Sequence, residues 1–521
     1  MPDDEKMQPN DENAGVEKNV TEGEALTADG EAAAATLTPA TELKKARSIS
    51  ISKKAVLIGA AVVLALFVTA YILTFVLEKG TYQRDASGAI VPGTYVADPT
   101  LEGIKWWQFL LSPLMILLPT SDGYMTVWAI IILLFIIGAV FTALDETGIM
   151  VYMVEYLNHK LGHRKYLLLF LLCFAFMFLG STAGMFEELI PLVPVVVMLC
   201  YALGWDALVG LAIAVVASCF GFSAGVVNPF TVGVAQTLGG LEMYSGIGMR
   251  ILTFVLAYII LMAFLYPYAR KIERHPEKSA VFAEDSLRKK EFSFRIDNFT
   301  EDKGKNKALL WFGCWMLGVV ALALISVAWR ALADYLMYII LAVYVIAGVG
   351  ASVMCGLKGK ELFKQLGRGA LTLLPAVVLI LIAGGIRYIV EKGDIMDTIL
   401  YKFITLIGDK GGFGTTMIIY CVIFVFEIFI QSGSAKAFLL MPMIFDICSL
   451  VGLDPQVAVL AFAFADGFAN VILPTNAGLL LILGLTTVDY GKWFRWSVKI
   501  HLTLFAATVG VLAIAQYLVY V

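Results

Sequence analysis

The chain has 521 residues, of which 60% are hydrophobic and 15% charged, with a net charge of −4. That composition excludes an ordinary soluble domain and leaves a polytopic α-helical membrane protein as the class. The small net charge says little, because in such proteins charge matters by location.

Residues 1–42 carry eleven acidic side chains against Lys6 and Lys18. The reading is a disordered acidic tail (domain 1–52), too long and too acidic for the leading part of a signal peptide. It ends in the basic cluster Lys44, Lys45, Arg47, Lys53 and Lys54, which puts the N-terminus in the cytoplasm of a plasma-membrane protein. Spans are predicted at Ala55–Leu77, Trp128–Leu144, Lys165–Leu179, Leu309–Trp329, Ala333–Met354 and Val498–Val519, each long enough to approach or cross a hydrocarbon core. Between the first two lies an external segment with an interfacial aromatic stretch, Trp106–Leu118. A charged cytoplasmic loop, 269–307, separates a first transmembrane half (53–268) from a second (308–521). Lys358–Arg368 reads as a further internal loop, and the C-terminus falls outside.

This walk closes only if 166–204 and 412–452 enter the membrane and return on the same side as helical hairpins. Their arms are short for a full crossing, and non-helical backbone at that depth needs burial in protein or a wet cavity. The two halves are also related. Residues 194–228 overlay 442–476 at a constant offset of 248, sharing Pro194/Pro442, Cys200/Cys448, Gly204/Gly452, Asp206/Asp454 and Asn228/Asn476 among others. Upstream, Glu146-x-Gly148-Ile149-Met150 resembles Glu391-x-Gly393-x-Ile395-Met396, and downstream Tyr244 and Arg250 echo Tyr490 and Arg495. Equivalent segments run in opposite directions, so the repeat is inverted. Interrupted apolar segments at matching places in two such halves point to a transporter binding site.

Each hairpin tip is small and polar: Gly180-Ser181-Thr182-Ala183-Gly184-Met185-Phe186-Glu187-Glu188 in the first, Gln431-Ser432-Gly433-Ser434-Ala435-Lys436 in the second. Each is followed by a break, Gly225-Val226-Val227-Asn228-Pro229-Phe230-Thr231 and Asn470-Val471-Ile472-Leu473-Pro474-Thr475-Asn476-Ala477-Gly478. Glycine and proline free backbone groups there, and hydroxyls and amides beside them can hold an ion or a carboxylate. Glu187, Glu188, Glu427, Lys436 and Asp466 are ionisable groups at membrane depth, which mark function by default. Glu188 and Lys436 hold equivalent positions, as do Ser218 and Asp466. Glu188 and Lys436 are expected either to form a structural ion pair between the tips, or to recognise a substrate bearing both charges or make a contact used in coupling. The seven cysteines lack CxxC spacing and the four histidines lack metal-ligand spacing, so no metal site, organic cofactor, nucleic-acid partner or enzyme activity is expected.

These tips, together with Gly-x-x-Glu-Glu-x-x-Pro, Asn228-Pro229-Phe230, Met441-Pro442 and Asp466-Gly467-Phe468-x-Asn470, resemble the YfcC branch of the DcuC/ArcD-type carriers in the ion transporter superfamily. The resemblance covers about residues 54–519 and omits the tail. It implies an elevator-type secondary carrier, commonly a homodimer, embedded in membrane lipid and moving a small molecule by alternating access. The expected substrate is a carboxylate-bearing metabolite, an amino acid or C4-dicarboxylate, with basic amino acid exchange of the arginine/ornithine type as the alternative. An ion channel is the competing class. Substrate contacts are expected from Ser181, Thr182, Glu187, Glu188, Asn228, Ser432, Ser434, Lys436, Thr475 and Asn476. Ion coupling to Na⁺ or H⁺ is expected at Asn228, Asn470, Asp466 and Thr475. Related dicarboxylate carriers use Ser-Asn-Thr tips, and neither tip here has an Asn, which leaves H⁺ coupling or exchange open.

Overall fold

The computed structural model describes residues 53–84, 90–91, 93–119, 124–292, 300–328, 330–407 and 412–520, so the acidic tail lies outside the described residues. The protein is all-α and polytopic. Among the described residues, seven helices are long and apolar enough to cross a membrane, or eight if one bent pair is a single span. In lipid every backbone polar group must be satisfied internally, which is why apolar runs of this length become helices.

The first half contains α1 (Lys53–Val76), a two-stranded antiparallel ribbon (β1 Gly80–Thr81, β2 Val96–Ala97), α2 (Trp106–Met115), α3 (Tyr124–Glu146) and α4 (Ile149–Leu161). The aromatic stretch is thus a short helix, with Trp106 and Leu110 exposed. Next come α5 (Lys165–Ala183), a 3₁₀ turn (Glu187–Leu192) and α6 (Val193–Ala202). A broken helix follows: α7 (Ala207–Leu211), a π-turn (Ala212–Val216), α8 (Ala217–Ala224), a second π-turn (Pro229–Gly233) and α9 (Val234–Leu238). Then α10 (Ile247–Arg274) leads to α11 (Phe282–Phe292). The second half has α12 (Lys303–Ala328), α13 (Arg330–Met354), α14 (Gly359–Thr372), α15 (Leu374–Lys392), α16 (Met396–Ile407), α17 (Gly412–Phe426) and α18 (Gly433–Val451). Its broken helix is α19 (Pro455–Ile472) and α20 (Ala477–Gly484), followed by α21 (Tyr490–Ile514).

Three expectations change. Lys358–Arg368 is not a loop: most of it forms the start of α14, whose spacing buries Leu362 and Gln365 on one face. The charged 269–307 segment is not simply a loop either, because α11 docks onto the helical core. Asp285 accepts hydrogen bonds from the Tyr201 hydroxyl, the Ala207 amide and the Thr487 hydroxyl, each 2.8 Å, and Lys492 pairs with Glu284 at 2.5 Å. Finally, two hairpin arms, Gly162–Ala183 with 22 residues and Gly433–Val451 with 19, are long and apolar enough to span. Short arms are therefore not the ground for a re-entrant reading; the polar, non-helical tips are.

The identities shared by the two halves are punctuation. Gly204 and Gly452 both adopt left-handed φ (+86° and +67°) as the hairpins end. Trp205 and Leu453 then donate back to Cys200 and Cys448, each at 2.8 Å. Asp206 and Asp454 cap the next helices by accepting from the Val209 and Gln456 amides. Asn228 and Asn476 cap the helices after the breaks, accepting from Phe230 and Leu479. Each such cap stabilises by about 1 kcal/mol.

The broken helices occupy the centre. All of the apolar stretch in Ala207–Leu238 and 94% of that in Pro455–Gly484 is buried, against 28% in Tyr490–Val519. They cross where Gly467 lies against Ser223: a Cβ on Gly467 would come within 2.2 Å of the Ser223 amide nitrogen. Gly180 and Gly221 likewise let α5 and α8 touch backbone to backbone, with added Cβ atoms 2.1 Å from the Ser218 carbonyl and 1.9 Å from that of Met177. Small residues allowing such approach are the usual glue of membrane helices.

Candidate functional site

Pro229 and Pro474 lack the amide that would continue their helices, so each break frees carbonyls inside the protein. Side chains from the following long helix claim them. Arg250, fully buried, donates from Nε to the Val226 carbonyl at 3.2 Å and from its other nitrogens to Ser245 and Tyr244. In the second half the Tyr490 hydroxyl donates to Ile472 at 2.6 Å and the Trp493 indole to Val471 at 2.9 Å. Arg495 only donates within its own helix, to Gly491. The expected echo of Arg250 is therefore carried by Tyr490 and Trp493.

The two tips and the two breaks form a closed ring of contacts. Ser181 at the first tip accepts from the Val226 amide through Oγ (3.1 Å) and from the Val227 amide through its carbonyl (3.3 Å). Gly184, at φ +62°, admits the Asn228 amide: a Cβ there would lie 2.6 Å from Asn228 Oδ1. At the second tip Gln431 donates to the Thr475 carbonyl and accepts from the Ala477 amide at 3.3 Å. Thr231 of the first break abuts Gly433 of the second tip, and Phe186 of the first tip abuts Gly478 at the end of the second break. Each tip thus touches both breaks.

Within this ring lie buried polar atoms with no hydrogen-bond partner among the described residues: Asn228 Nδ2, Thr231 Oγ1, Asp466 Oδ2 and Thr475 Oγ1. Unpaired buried groups of this kind cost about 1–3 kcal/mol each, so a site that collects them is set up for a ligand. Asn476 donates to Asn470 Oδ1 at 2.6 Å, which holds the second break together. Ser432 is exposed and caps α18 through the Ala435 amide, with Ser434 Oγ at 3.5 Å. The Thr182 hydroxyl is turned back to the Phe178 carbonyl at 2.7 Å.

The ionisable groups sort differently from the expected pairing. Lys436 is fully buried and pairs with both Asp466 and Glu427, not with Glu188. Glu188 is held beside its own tip by the Phe186 amide at 3.2 Å, and lines a small cleft against Met316, Val319, Ile340 and Tyr344. That geometry explains why two residues at equivalent positions do not meet. Glu187 lies within repulsive range of Glu188 and Asp466. The cluster therefore holds four carboxylates, Glu187, Glu188, Glu427 and Asp466, to one ammonium. Among the described residues no group of His, Cys, Asp and Glu is arranged to hold a metal ion.

Beside the second break, an apolar cavity of about 710 Å³ runs between α1 and Phe424, Ile428, Pro474 and Thr475. Its wall suits hydrocarbon rather than a charged metabolite. Of the groups given no site role by the sequence, Gln431 and Thr231 stood inside the quoted tip and break motifs, and Glu427 was marked only by its depth. Motif position signalled all three; which partners they would meet was not readable.

A family model described as "DcuC: C4-dicarboxylate anaerobic carrier" matches residues 56–517. An Escherichia coli (strain K12) protein named "Putative basic amino acid antiporter YfcC" is 28% identical over 418 residues, spanning 77% of this chain and 80% of that protein. Among solved structures, Neisseria gonorrhoeae MtrF, described with a class of antimetabolite efflux pumps, covers 88% of this chain and 95% of its own at TM-score 0.42 and 16% identity. The Alcanivorax borkumensis YdaH transporter covers 88% and 98%, at TM-score 0.42 and 16% identity.

Proposed function

The chain belongs to the DcuC family of membrane carriers, and on that premise we propose that it is a secondary active transporter of a small amino acid, working by alternating access of the hairpin domain. The supporting observation is the ring in which both tips contact both breaks around a cluster of four carboxylates and one ammonium. An amino acid offers a carboxylate for Ser181, Ser432 and Ser434 and an ammonium for Glu187 and Glu188, while Thr182, whose hydroxyl is committed to the Phe178 carbonyl, is left out of the proposed contacts. Asn228, Thr475 and Asn476, with Asn470 and Asp466 behind them, complete the substrate and ion sites.

A C4-dicarboxylate is the competing substrate, suggested by the description of the family. The charge balance disfavours it: two unit charges about 6 Å apart repel by roughly 3 kcal/mol at an effective dielectric of about 20. A dianion entering a site already rich in carboxylates meets that repulsion more than once. The same excess favours exchange of cationic amino acids, which agrees with the name given to the Escherichia coli relative.

In this reading the protein is a homodimer with its N-terminus in the cytoplasm and its C-terminus outside. The two repeats are inverted, and coupling is by H⁺ or by exchange. Uptake of labelled amino acids and C4-dicarboxylates into proteoliposomes, with and without Na⁺ and pH gradients or internal substrate, tests it. Saturable amino acid flux supports the reading. Dicarboxylate flux alone replaces the substrate, and ohmic ion current with no solute flux replaces the class by a channel.

A further inference from the structure

Three oxygen donors converge on the Lys436 ammonium: Asp466 Oδ1 from α19, Glu427 Oε2 from the first arm of hairpin 2, and the Ile430 carbonyl at 3.5 Å. Two carboxylates and a backbone carbonyl match the three N–H donors of an ammonium, and the same all-oxygen set can coordinate a small cation in its place. The pocket is built rather than incidental. Lys436 and Asp466 are fully buried, Glu427 is 1% exposed, and the Phe462 ring faces the ammonium at 6.0 Å.

Two unpaired polar atoms, Asp466 Oδ2 and the Thr231 hydroxyl, belong to residues beside Gly433: a Cβ there would come within 2.8 Å of Asp466 Oδ2 and 2.7 Å of the Thr231 methyl. The location also matters, because the lysine stem leaves the first turn of α18, just behind the Ser432–Ser434 tip. A cation here ties the second tip to the central helix α19, next to where Gly433 meets Thr231 of the first break.

We propose that Lys436 is a tethered cation: its ammonium fills a monovalent-cation site formed by Asp466, Glu427 and the Ile430 carbonyl, so that hairpin 2 holds its tip without Na⁺. This rests on the transporter reading of the hairpins and assigns their second ion site to the chain itself. The charges follow. Two carboxylates and one ammonium leave −1 in the pocket, and removing the ammonium alone leaves −2 in a low-dielectric interior. The carboxylates then need a proton or an external cation, and the buried Lys436 side chain supplies the positive charge in the native protein.

The test is thermal unfolding of the purified full-length protein in detergent, in NaCl, KCl, LiCl or choline chloride at equal ionic strength. It needs no transported substrate, so a failure to find flux does not decide it. The wild type is expected to melt at one temperature in all four salts. Lys436→Met is expected to melt lower in choline and to recover by ~2 °C or more in one of the small cations, as mass action on a folded-state site requires. Because that variant strands two carboxylates, Lys436→Met with Glu427→Gln provides a second route. It restores the native −1 and vacates the cation position, and it too is expected to respond to cation. The triple variant that adds Asp466→Asn is expected not to respond. The proposal is overturned if wild type is already stabilised by Na⁺ in a manner lost in Asp466→Asn, or if neither vacated variant responds to any cation.

Discussion

A methyl group added to Gly467 tests whether the two broken helices cross in contact. In the structure the new Cβ of Gly467→Ala lies 2.2 Å from the Ser223 amide nitrogen, 2.5 Å from its Oγ and 2.6 Å from its Cα. Ordinary van der Waals contact begins near 3.4 Å, so the helices must part by about an ångström. The obstacle is backbone, which cannot rotate away. Overpacking of this kind costs ~1–3 kcal/mol, and a backbone obstacle places it at the upper end. Gly318→Ala is the matched control: nothing lies within 4 Å of its new Cβ. There the change is expected to be neutral or to stabilise α12 by up to ~1 kcal/mol. The two variants should therefore differ by ~3 kcal/mol, read as melting temperature in detergent by tryptophan fluorescence. Gly467→Ala should also lose uptake, because the crossing sets the distance between the breaks. Equal melting temperatures for the two variants, with uptake intact in both, would refute the packing argument.

Other expectations follow from the same contacts. Asn476→Ala removes the cap on Leu479 and the bond to Asn470, whereas Asn228→Ala removes a cap alone, its Nδ2 being unpaired. The first is expected to lower stability by ~2 kcal/mol and the second by ~1 kcal/mol; the reverse order contradicts the assignment. Asn228→Asp keeps the capping oxygen but replaces the free Nδ2 donor by a buried carboxylate, so uptake and the melting temperature should both fall. Gln431→Ala cuts both ties between the second tip and the break. It is expected to reduce uptake by roughly tenfold, the equivalent of ~1.4 kcal/mol, with unchanged expression as the check on folding. Burial lifts the Asp285 carboxyl from its ordinary 3.8 to about 6. The native state then holds a proton that the unfolded chain has lost between those values, so this contribution is fully present below about pH 4. It fades as pH rises through about 6, by ~3 kcal/mol in all. Melting temperatures of wild type against Asp285→Asn across that window should converge at one end only; parallel curves contradict it.

Much of this architecture was legible because lipid leaves so few options for an apolar run. The duplication at the offset of 248 located the tips and the breaks, and Asp206/Asp454, Gly204/Gly452 and Asn228/Asn476 coincide because helices must be ended and started at the same places in both copies. What sequence position could not convey was partnership. Glu188 and Lys436 are equivalent by repeat, but equivalence under an internal symmetry says nothing about contact, and Lys436 reaches Asp466 thirty residues on instead. Arg250 and Arg495 look alike by spacing, yet only Arg250 enters the core; Tyr490 and Trp493 satisfy the freed carbonyls of the second copy. The Lys358–Arg368 segment reads as a loop because its charges outweigh its amphipathic spacing. Docking of α11 through Asp285 depends on Tyr201 and Thr487, which no local pattern connects to it.

In the proposed function the carboxylates around the tips, Glu427 and Asp466 buried and Glu187 and Glu188 partly exposed, favour an amino acid as the ligand. Ligand-induced stabilisation measures this most directly. Purified protein is melted in the presence of arginine, ornithine, neutral amino acids and C4-dicarboxylates, and compared with Glu187→Gln and Glu188→Gln proteins that melt normally without ligand. The account predicts that amino acids raise the melting temperature of the wild type, that dicarboxylates do not, and that the response is lost in the glutamine variants. Stabilisation by dicarboxylates alone, or an undiminished amino acid response in both variants, would contradict it.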